Sequence, residues 1–126
     1  MQERHEREQY FFTQQTTQRL ADFAARFQNP CCICAPSVGV ELARRGVRAR
    51  VLDIDERFAP TPGFRRYDLA RPEWLGEEFG LILCDPPFFN VSLSQLFAAL
   101  RLLSRHRYEQ PLLISYLGRR ASSIVG

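Results

Sequence analysis

Short apolar runs alternate with helical patterns in the first half of the chain, and this alternation constrains the fold most. The run Cys31 to Ala35 is continuously apolar, as in a strand that is buried on both faces of a sheet. Pro36 and Ser37 then open a helical pattern that stops at Gly46, a residue suited to a helix C-terminal cap. Arg50 to Ile54 forms a second strand-like run. Strand, helix and strand joined by short connections predict a parallel βαβ unit.

The rest of the chain continues this alternation. Apolar residues at helical spacing predict a helix from Gln14 to Gln28 and another after Ser92, which is a suitable N-cap. The segment Leu69 to Glu78 is predicted to be irregular, with one helical turn around Trp74. Further strands are predicted at Phe64 to Tyr67, Gly80 to Cys84 and Leu112 to Leu117. Five buried strands alternating with helices predict a doubly wound, mostly parallel α/β sheet, which binds ligands outside the carboxyl ends of its strands.

The composition predicts a single domain over residues 1–126, with a charged lead at residues 1–9 and a loose tail at residues 119–126. Hydrophobic residues make up 45% of the chain and charged residues 25%, a balance typical of globular proteins. Residues 1–8 lack the apolar segment of a secretory signal, and the longest apolar stretches are too short to span a bilayer. We therefore expect a cytoplasmic protein with no membrane partner.

Charge and cysteine content leave the function open. The net charge of +3 is mild and the acids are interspersed with the arginines, so charge alone requires no nucleic-acid partner and leaves the oligomeric state open. Cys31, Cys32, Cys34 and Cys84 lie in apolar runs and are predicted to be reduced, small hydrophobic residues without a disulfide. Their spacing lacks the gap between paired zinc ligands, so no metal is predicted.

The run Asp85-Pro86-Pro87-Phe88 follows the fourth predicted strand and carries the sharpest functional signal. The two prolines fix the backbone and remove amide hydrogens where the strand leaves the sheet. If the Asp85 side chain and the Pro86 carbonyl accept the two hydrogens of a planar amine, its nitrogen lone pair can be directed at a sulfonium methyl group. Phe88 would stack on the planar acceptor. The alternative is a structural loop with Phe88 in the core.

Acids at two other strand ends are candidate cofactor ligands. Asp53 could accept hydrogen bonds from two ribose hydroxyls, with Asp55 as the second choice. The alternative for both is a turn residue or an ion pair with Arg57. Asp68 follows the third predicted strand, where it could accept a hydrogen bond from an adenine amine or serve as a plain turn acid.

The loop after the first strand supplies the remaining cofactor candidates, Ala35, Ser37 and Gly39. It holds a single glycine, so it is no G-x-G-x-x-G fingerprint and lacks the phosphate cradle of NAD and ATP sites. S-adenosylmethionine carries no phosphate and is compatible with such a loop.

An aromatic cluster precedes the first predicted helix. Tyr10, Phe11 and Phe12 could cover the substrate or the cofactor. The alternative is a hydrophobic staple at the start of the helix.

Five motifs in a fixed order carry a family resemblance. They are Gln9-Tyr10-Phe11-Phe12-Thr13, Cys34-Ala35-Pro36-Ser37, Leu52-Asp53-Ile54-Asp55-Glu56-Arg57-Phe58, Tyr67-Asp68 and Asp85-Pro86-Pro87-Phe88. The chain resembles the N6-adenine-methyltransferase-like family from about residue 9 to residue 118. That family includes lysine methyltransferases that act on translation elongation factor 1A and a zinc-knuckle adenine methyltransferase that acts on ribosomal RNA.

The resemblance implies a Rossmann-like methyltransferase fold with S-adenosylmethionine as the cofactor. It places an acid at Asp53 or Asp55 on the ribose, and the run from Asp85 to Phe88 at the reacting nitrogen. Family members carry further sheet strands after the position of Gly118. We expect these C-terminal strands to be missing here, which would leave the sheet edge and part of the substrate wall incomplete.

These observations predict an S-adenosylmethionine-dependent N-methyltransferase that acts on the N6 amine of adenine in RNA or DNA. A protein lysine methyltransferase with a translation-related partner is the first alternative. It is less favoured because lysine, with an ordinary pKa of about 10.4, must lose its proton before attack, and a nearby carboxylate stabilises the charged form. The second alternative is an inactive binding or interaction module.

Overall fold

Five parallel strands form the centre of the computed structural model, which describes residues 14–85, 92–107 and 109–114. In chain order they are β1 (Cys31–Ile33), β2 (Arg50–Asp53), β3 (Phe64–Arg66), β4 (Ile82–Cys84) and β5 (Leu112–Ile114). Their order across the sheet is β3-β2-β1-β4-β5, and every neighbouring pair is parallel. The predicted α/β fold with a parallel, Rossmann-like sheet is confirmed.

Among residues 14–85, 92–107 and 109–114, three α-helices cover the two faces of this sheet. Helices α1 (Gln14–Ala24) and α2 (Pro36–Arg44) pack on one face, and α3 (Leu93–Leu103) packs on the other. The strands are apolar on both faces because each face has its own helical layer. In the described part of the chain, no helix is both long and apolar enough to cross a membrane.

The helix boundaries differ from the prediction at one place. Helix α1 ends at Ala24 and not at Gln28, because the following amides turn more tightly. Phe27, for example, donates its backbone N–H to the carbonyl of Ala24 at 3.1 Å, three residues back. The Phe27 side chain still packs against the core, so the apolar spacing continues beyond the helix end.

The expected helical turn around Trp74 is wrong. The Tyr67 hydroxyl accepts a hydrogen bond from the Glu73 backbone N–H and donates one to the Glu73 carbonyl, both at 2.9 Å. A side chain therefore satisfies the backbone groups that a helical turn would pair. Trp74 lies in an irregular segment under the guanidinium of Arg105, 4.8 Å from the ring centre.

The predicted cap of the last helix is confirmed. Ser92 accepts a hydrogen bond from the Gln95 backbone N–H at 3.1 Å, and the Gln95 side chain accepts one from the Ser92 N–H at 3.0 Å. This reciprocal pair is a capping box. The predicted fifth strand is present as Leu112–Ile114, and its expected continuation at residues 115–117 lies outside the described residues.

Gly39 lets α2 approach β2 closely. A Cβ atom at this position would lie 2.4 Å from Cγ2 and 3.0 Å from Cγ1 of Val51, closer than carbon atoms can pack. Both residues are buried between α2 and the sheet. The structure thus gives Gly39 a packing role, and its predicted contact with a cofactor stays a prediction.

Replacing Gly39 with alanine should destabilise the protein. The overpacked side chain costs about 1 to 3 kcal/mol, which exceeds the gain in helix propensity of about 1 kcal/mol. Urea unfolding of G39A against the wild type measures the difference. In a Val51→Ala background the same change should be neutral or stabilising, because the two clashing methyl groups are gone. An equal loss in both backgrounds would contradict this account of the helix approach.

Candidate active site

The strand order reverses between β1 and β4, which makes this position the topological switch point of the sheet. From β1 the chain proceeds outward through β2 to β3, and it then returns to the other side of β1 to form β4 and β5. Connections that leave neighbouring strands on opposite sides open a crevice at the carboxyl ends of those strands. The register pairs Ile33 with Cys84, so Cys34 and Asp85 follow at this crevice.

Asp85 is the part of the predicted catalytic run that the structure describes. It follows β4 directly and is 6% exposed. The pKa of the neighbouring Cys84 thiol is raised well above its ordinary value. The main causes are the interaction with the Cys34 side chain and burial, and the negative charge of Asp85 adds to them. Pro86, Pro87 and Phe88 lie outside the described residues, as do Tyr10, Phe11 and Phe12.

The turn between β1 and α2 is built on Cys34. This residue has a φ of 59°, a left-handed conformation in which glycine is the usual choice. Its backbone N–H donates to the Leu52 carbonyl at 3.0 Å, which ties the turn to the end of β2. Ala35 then occupies the N-cap position of α2 and has no side-chain acceptor for the first amides of the helix. These amides lie at the carboxyl edge of the sheet.

The two acids after β2 have different partners. Asp53 accepts a hydrogen bond from the Asp55 backbone N–H at 2.8 Å, and burial raises its pKa. Asp55 caps a short 3₁₀ helix (Glu56–Phe58) and accepts two hydrogen bonds from Arg57 Nε at 2.9 and 3.0 Å. The side-chain hydrogen bond from Arg57 lowers the Asp55 pKa. The expected turn role is therefore present for both acids, and the expected ion pair with Arg57 is present for Asp55.

Asp68 lies at the end of β3, next to the end of β2. The Tyr67 N–H donates to the Asp53 carbonyl at 3.0 Å, which joins the two strand ends. The Asp68 carboxylate accepts a hydrogen bond from the Ala70 N–H at 2.9 Å. This contact is the plain turn role that the sequence offered as an alternative, and the side chain remains half-buried.

A cavity of about 330 Å³ lies beside this edge and not over it. Helices α1 and α2 and the 3₁₀ helix form its walls. The lining residues are Gln14, Thr17, Gln18, Ser37, Val40, Glu41, Arg44 and Phe58. It includes the predicted cofactor residue Ser37 but none of the acids at the strand ends.

A comparison with protein families decides the identity. The sequence model of a family described as "Probable N6-adenine methyltransferase" matches residues 3–126, nearly the whole chain. The chain belongs to the N6-adenine methyltransferase family. The resemblance drawn from the five motifs is thereby confirmed, and a methyltransferase activity is supported in general terms. A comparison with curated proteins gives no match.

The candidate site residues of this family member lie together at the carboxyl ends of the parallel strands. Parallel pairing brings Asp53, Cys34 and Asp85 to one edge, with Asp68 at its outer end. Within the described ranges, no cluster of three side chains is suited to a metal ion. The interaction between the Cys34 and Cys84 side chains is a feature that the sequence did not predict. A cysteine in place of glycine in a strand-to-helix turn was the only available signal.

Proposed function

We propose that this chain is an S-adenosylmethionine-dependent N-methyltransferase that acts on the N6 amine of adenine in RNA or DNA. The observation that carries the proposal is the position of Asp85. Its buried carboxyl group lies at the crevice between β1 and β4, and the chain belongs to the N6-adenine methyltransferase family.

Three features of the carboxyl edge suit S-adenosylmethionine. The first amides of α2 suit the methionyl carboxylate, because unpaired amides and the helix dipole attract a negative charge. Asp53 suits the two ribose hydroxyls, since it lies at the end of β2 and its side chain is only partly buried. Asp68 suits the adenine amine at the end of β3. Bound there, S-adenosylmethionine would supply an electrophilic methyl group.

Asp85 suits an aromatic amine as the acceptor. The lone pair of the adenine N6 nitrogen is delocalised into the ring, so the nitrogen is a weak nucleophile. A fixed carboxylate that accepts one N–H, with the Pro86 carbonyl accepting the other, would hold the nitrogen pyramidal and orient its lone pair. Phe88 would stack on the base. Lysine fits less well, because the Asp85 carboxylate would stabilise its charged form.

Transfer of labelled methyl groups into a cell extract tests this function. The purified chain is incubated with extract and methyl-labelled S-adenosylmethionine, and the products are separated into RNA, DNA and protein. Label in RNA or DNA is expected. Label in protein alone would contradict the adenine acceptor, and absence of label from every fraction would contradict the enzyme. Extract without the added chain gives the background.

A further inference from the structure

Cys34 and Cys84 lie side by side at the crevice between β1 and β4, since Cys34 follows Ile33, the register partner of Cys84. Interaction with the Cys34 side chain, together with burial, raises the pKa of the Cys84 thiol well above its ordinary value. Cys34 also packs against the buried cluster that contains Cys84. Cys84 is fully buried, whereas Cys34 is partly exposed. The pair therefore combines a partly exposed cysteine with a buried cysteine beside it.

The backbone at Cys34 creates this arrangement. Ile33 and Cys84 are register partners on neighbouring parallel strands, so their side chains share one face of the sheet. Regular alternation would direct the Cys34 side chain to the opposite face. The left-handed conformation of Cys34, with a φ of 59°, breaks the alternation and returns its side chain to the face of Cys84.

The same geometry lies within the range of a disulfide. Neighbouring strands are about 4.8 Å apart and one residue advances about 3.3 Å, so residues offset by one position have α-carbons about 6 Å apart. Disulfide-bonded cysteines usually have α-carbons about 4.4 to 6.8 Å apart. This α-carbon spacing therefore permits the bond, with local adjustment of the β1 turn and of the end of β4.

We propose that Cys34 and Cys84 form a reversible disulfide in response to peroxide and that this bond switches off the site around Asp85. The loss of activity at the Asp85 site, unlike the disulfide itself, rests on the proposed function. The proposed bond departs from the sequence-based expectation that the four cysteines form no disulfide.

The chemistry balances with hydrogen peroxide as the oxidant. The Cys34 sulfur attacks one peroxide oxygen, the O–O bond breaks, and the released hydroxide takes the thiol proton to form water. The Cys84 sulfur then attacks the sulfur of the Cys34 sulfenic acid: an S–S bond forms, the S–OH bond breaks, and the leaving hydroxyl takes the Cys84 thiol proton to form a second water. Two thiols lose two electrons, and one peroxide is reduced.

The consequence for the site follows from chain connectivity. Asp85 is the next residue after Cys84, so a bond from Cys84 to the β1 turn would shift the Asp85 carboxylate and fix both walls of the crevice. A displacement of about 1 Å in a reacting group costs up to about 100-fold in rate. We expect oxidation to lower methyl transfer about tenfold or more, and dithiothreitol to restore it.

Peptide mapping tests the bond independently of any activity. The full chain is treated with hydrogen peroxide, free thiols are alkylated, and cross-linked peptides are sequenced by mass spectrometry. A Cys34–Cys84 link that dithiothreitol removes is expected. C34A should abolish it. C32A is the matched control and should retain it, because Cys32 packs against the other helical layer, on the opposite face of the sheet from Cys84.

Two results would overturn the proposal. One is the absence of the Cys34–Cys84 link while other thiol pairs or sulfonic acids form. The other is a complete link that leaves methyl transfer unchanged in a protein that is active when reduced. If the reduced protein transfers no methyl group at all, the proposed function fails, while the peptide map still decides whether the link forms.

Discussion

Asp85→Ala is expected to reduce methyl transfer by about 10²- to 10³-fold, the usual loss when one preorganised hydrogen-bonding group of an active site is removed. The reason is that the buried Asp85 carboxylate is the group proposed to accept a hydrogen from the reacting amine. Cofactor affinity should be largely spared, because Asp85 lies at the end of β4 and the proposed ribose ligand lies at the end of β2. Initial rates at saturating cofactor, with calorimetric titration of S-adenosylmethionine, measure both effects.

Two further variants separate chemistry from folding. Asp85→Asn keeps the size of the side chain and one acceptor oxygen, so it should lose less activity than Asp85→Ala and unfold at a similar temperature to the wild type. Glu56→Ala removes an exposed acid near the same edge and should leave transfer unchanged. Full turnover by a folded Asp85→Ala variant would show that the catalytic residue lies elsewhere.

Asp53→Ala is expected to weaken S-adenosylmethionine binding by about 100-fold or more, because two ribose hydroxyls lose their acceptor. Hydrogen bonds to a charged group contribute about 1.5 to 3 kcal/mol each, and about 1.4 kcal/mol corresponds to a tenfold change in affinity. Asp55→Ala is the matched comparison. It should cost less affinity, because the Asp55 carboxylate is paired with Arg57 and caps the 3₁₀ helix. A larger loss for Asp55→Ala than for Asp53→Ala would reverse the assignment of the ribose ligand.

The Asp53 interaction should also depend on pH. Burial raises the pKa of Asp53 in the free protein, and the ribose hydroxyls donate to its charged form. Affinity should therefore be highest above this raised pKa and fall as the pH drops through it. Calorimetric titrations across the acidic range test this dependence. In Asp53→Ala the same decline should be absent.

The layered fold was predictable because its strands are buried on both faces. Continuous apolar runs such as Cys31–Ile33 and Ile82–Cys84 can be recognised without knowing their neighbours. The end of α1 was not predictable from apolar spacing, since Phe27 continues the pattern into the turn that follows. The Tyr67 contacts that replace a helical turn near Trp74 are also invisible in the sequence, because they depend on how the chain folds back.

The position of the candidate acids was predictable, and their contacts were not. The rule that ligands lie at the carboxyl ends of parallel strands selected Asp53, Asp68 and Asp85 as candidates, and the structure places all three at that edge. Their roles as ligands stay predictions. The preference for Asp53 over Asp55 as the proposed ribose ligand depends on the ion pair between Asp55 and Arg57, and the sequence alone does not show which acid Arg57 contacts. The interaction of Cys34 with Cys84 needed the sign of one backbone angle, which composition and spacing do not determine.

The most direct test of the central claim is analysis of the methylated product. Adenine-containing RNA and DNA oligonucleotides are incubated with the chain and S-adenosylmethionine, digested to nucleosides, and analysed by mass spectrometry, with Asp85→Ala as the inactive control. The account predicts N6-methyladenosine or its deoxy counterpart in the wild-type reaction and a loss of about 100-fold or more in the control. Methylation of adenine at another atom, or equal product from the variant, would contradict it.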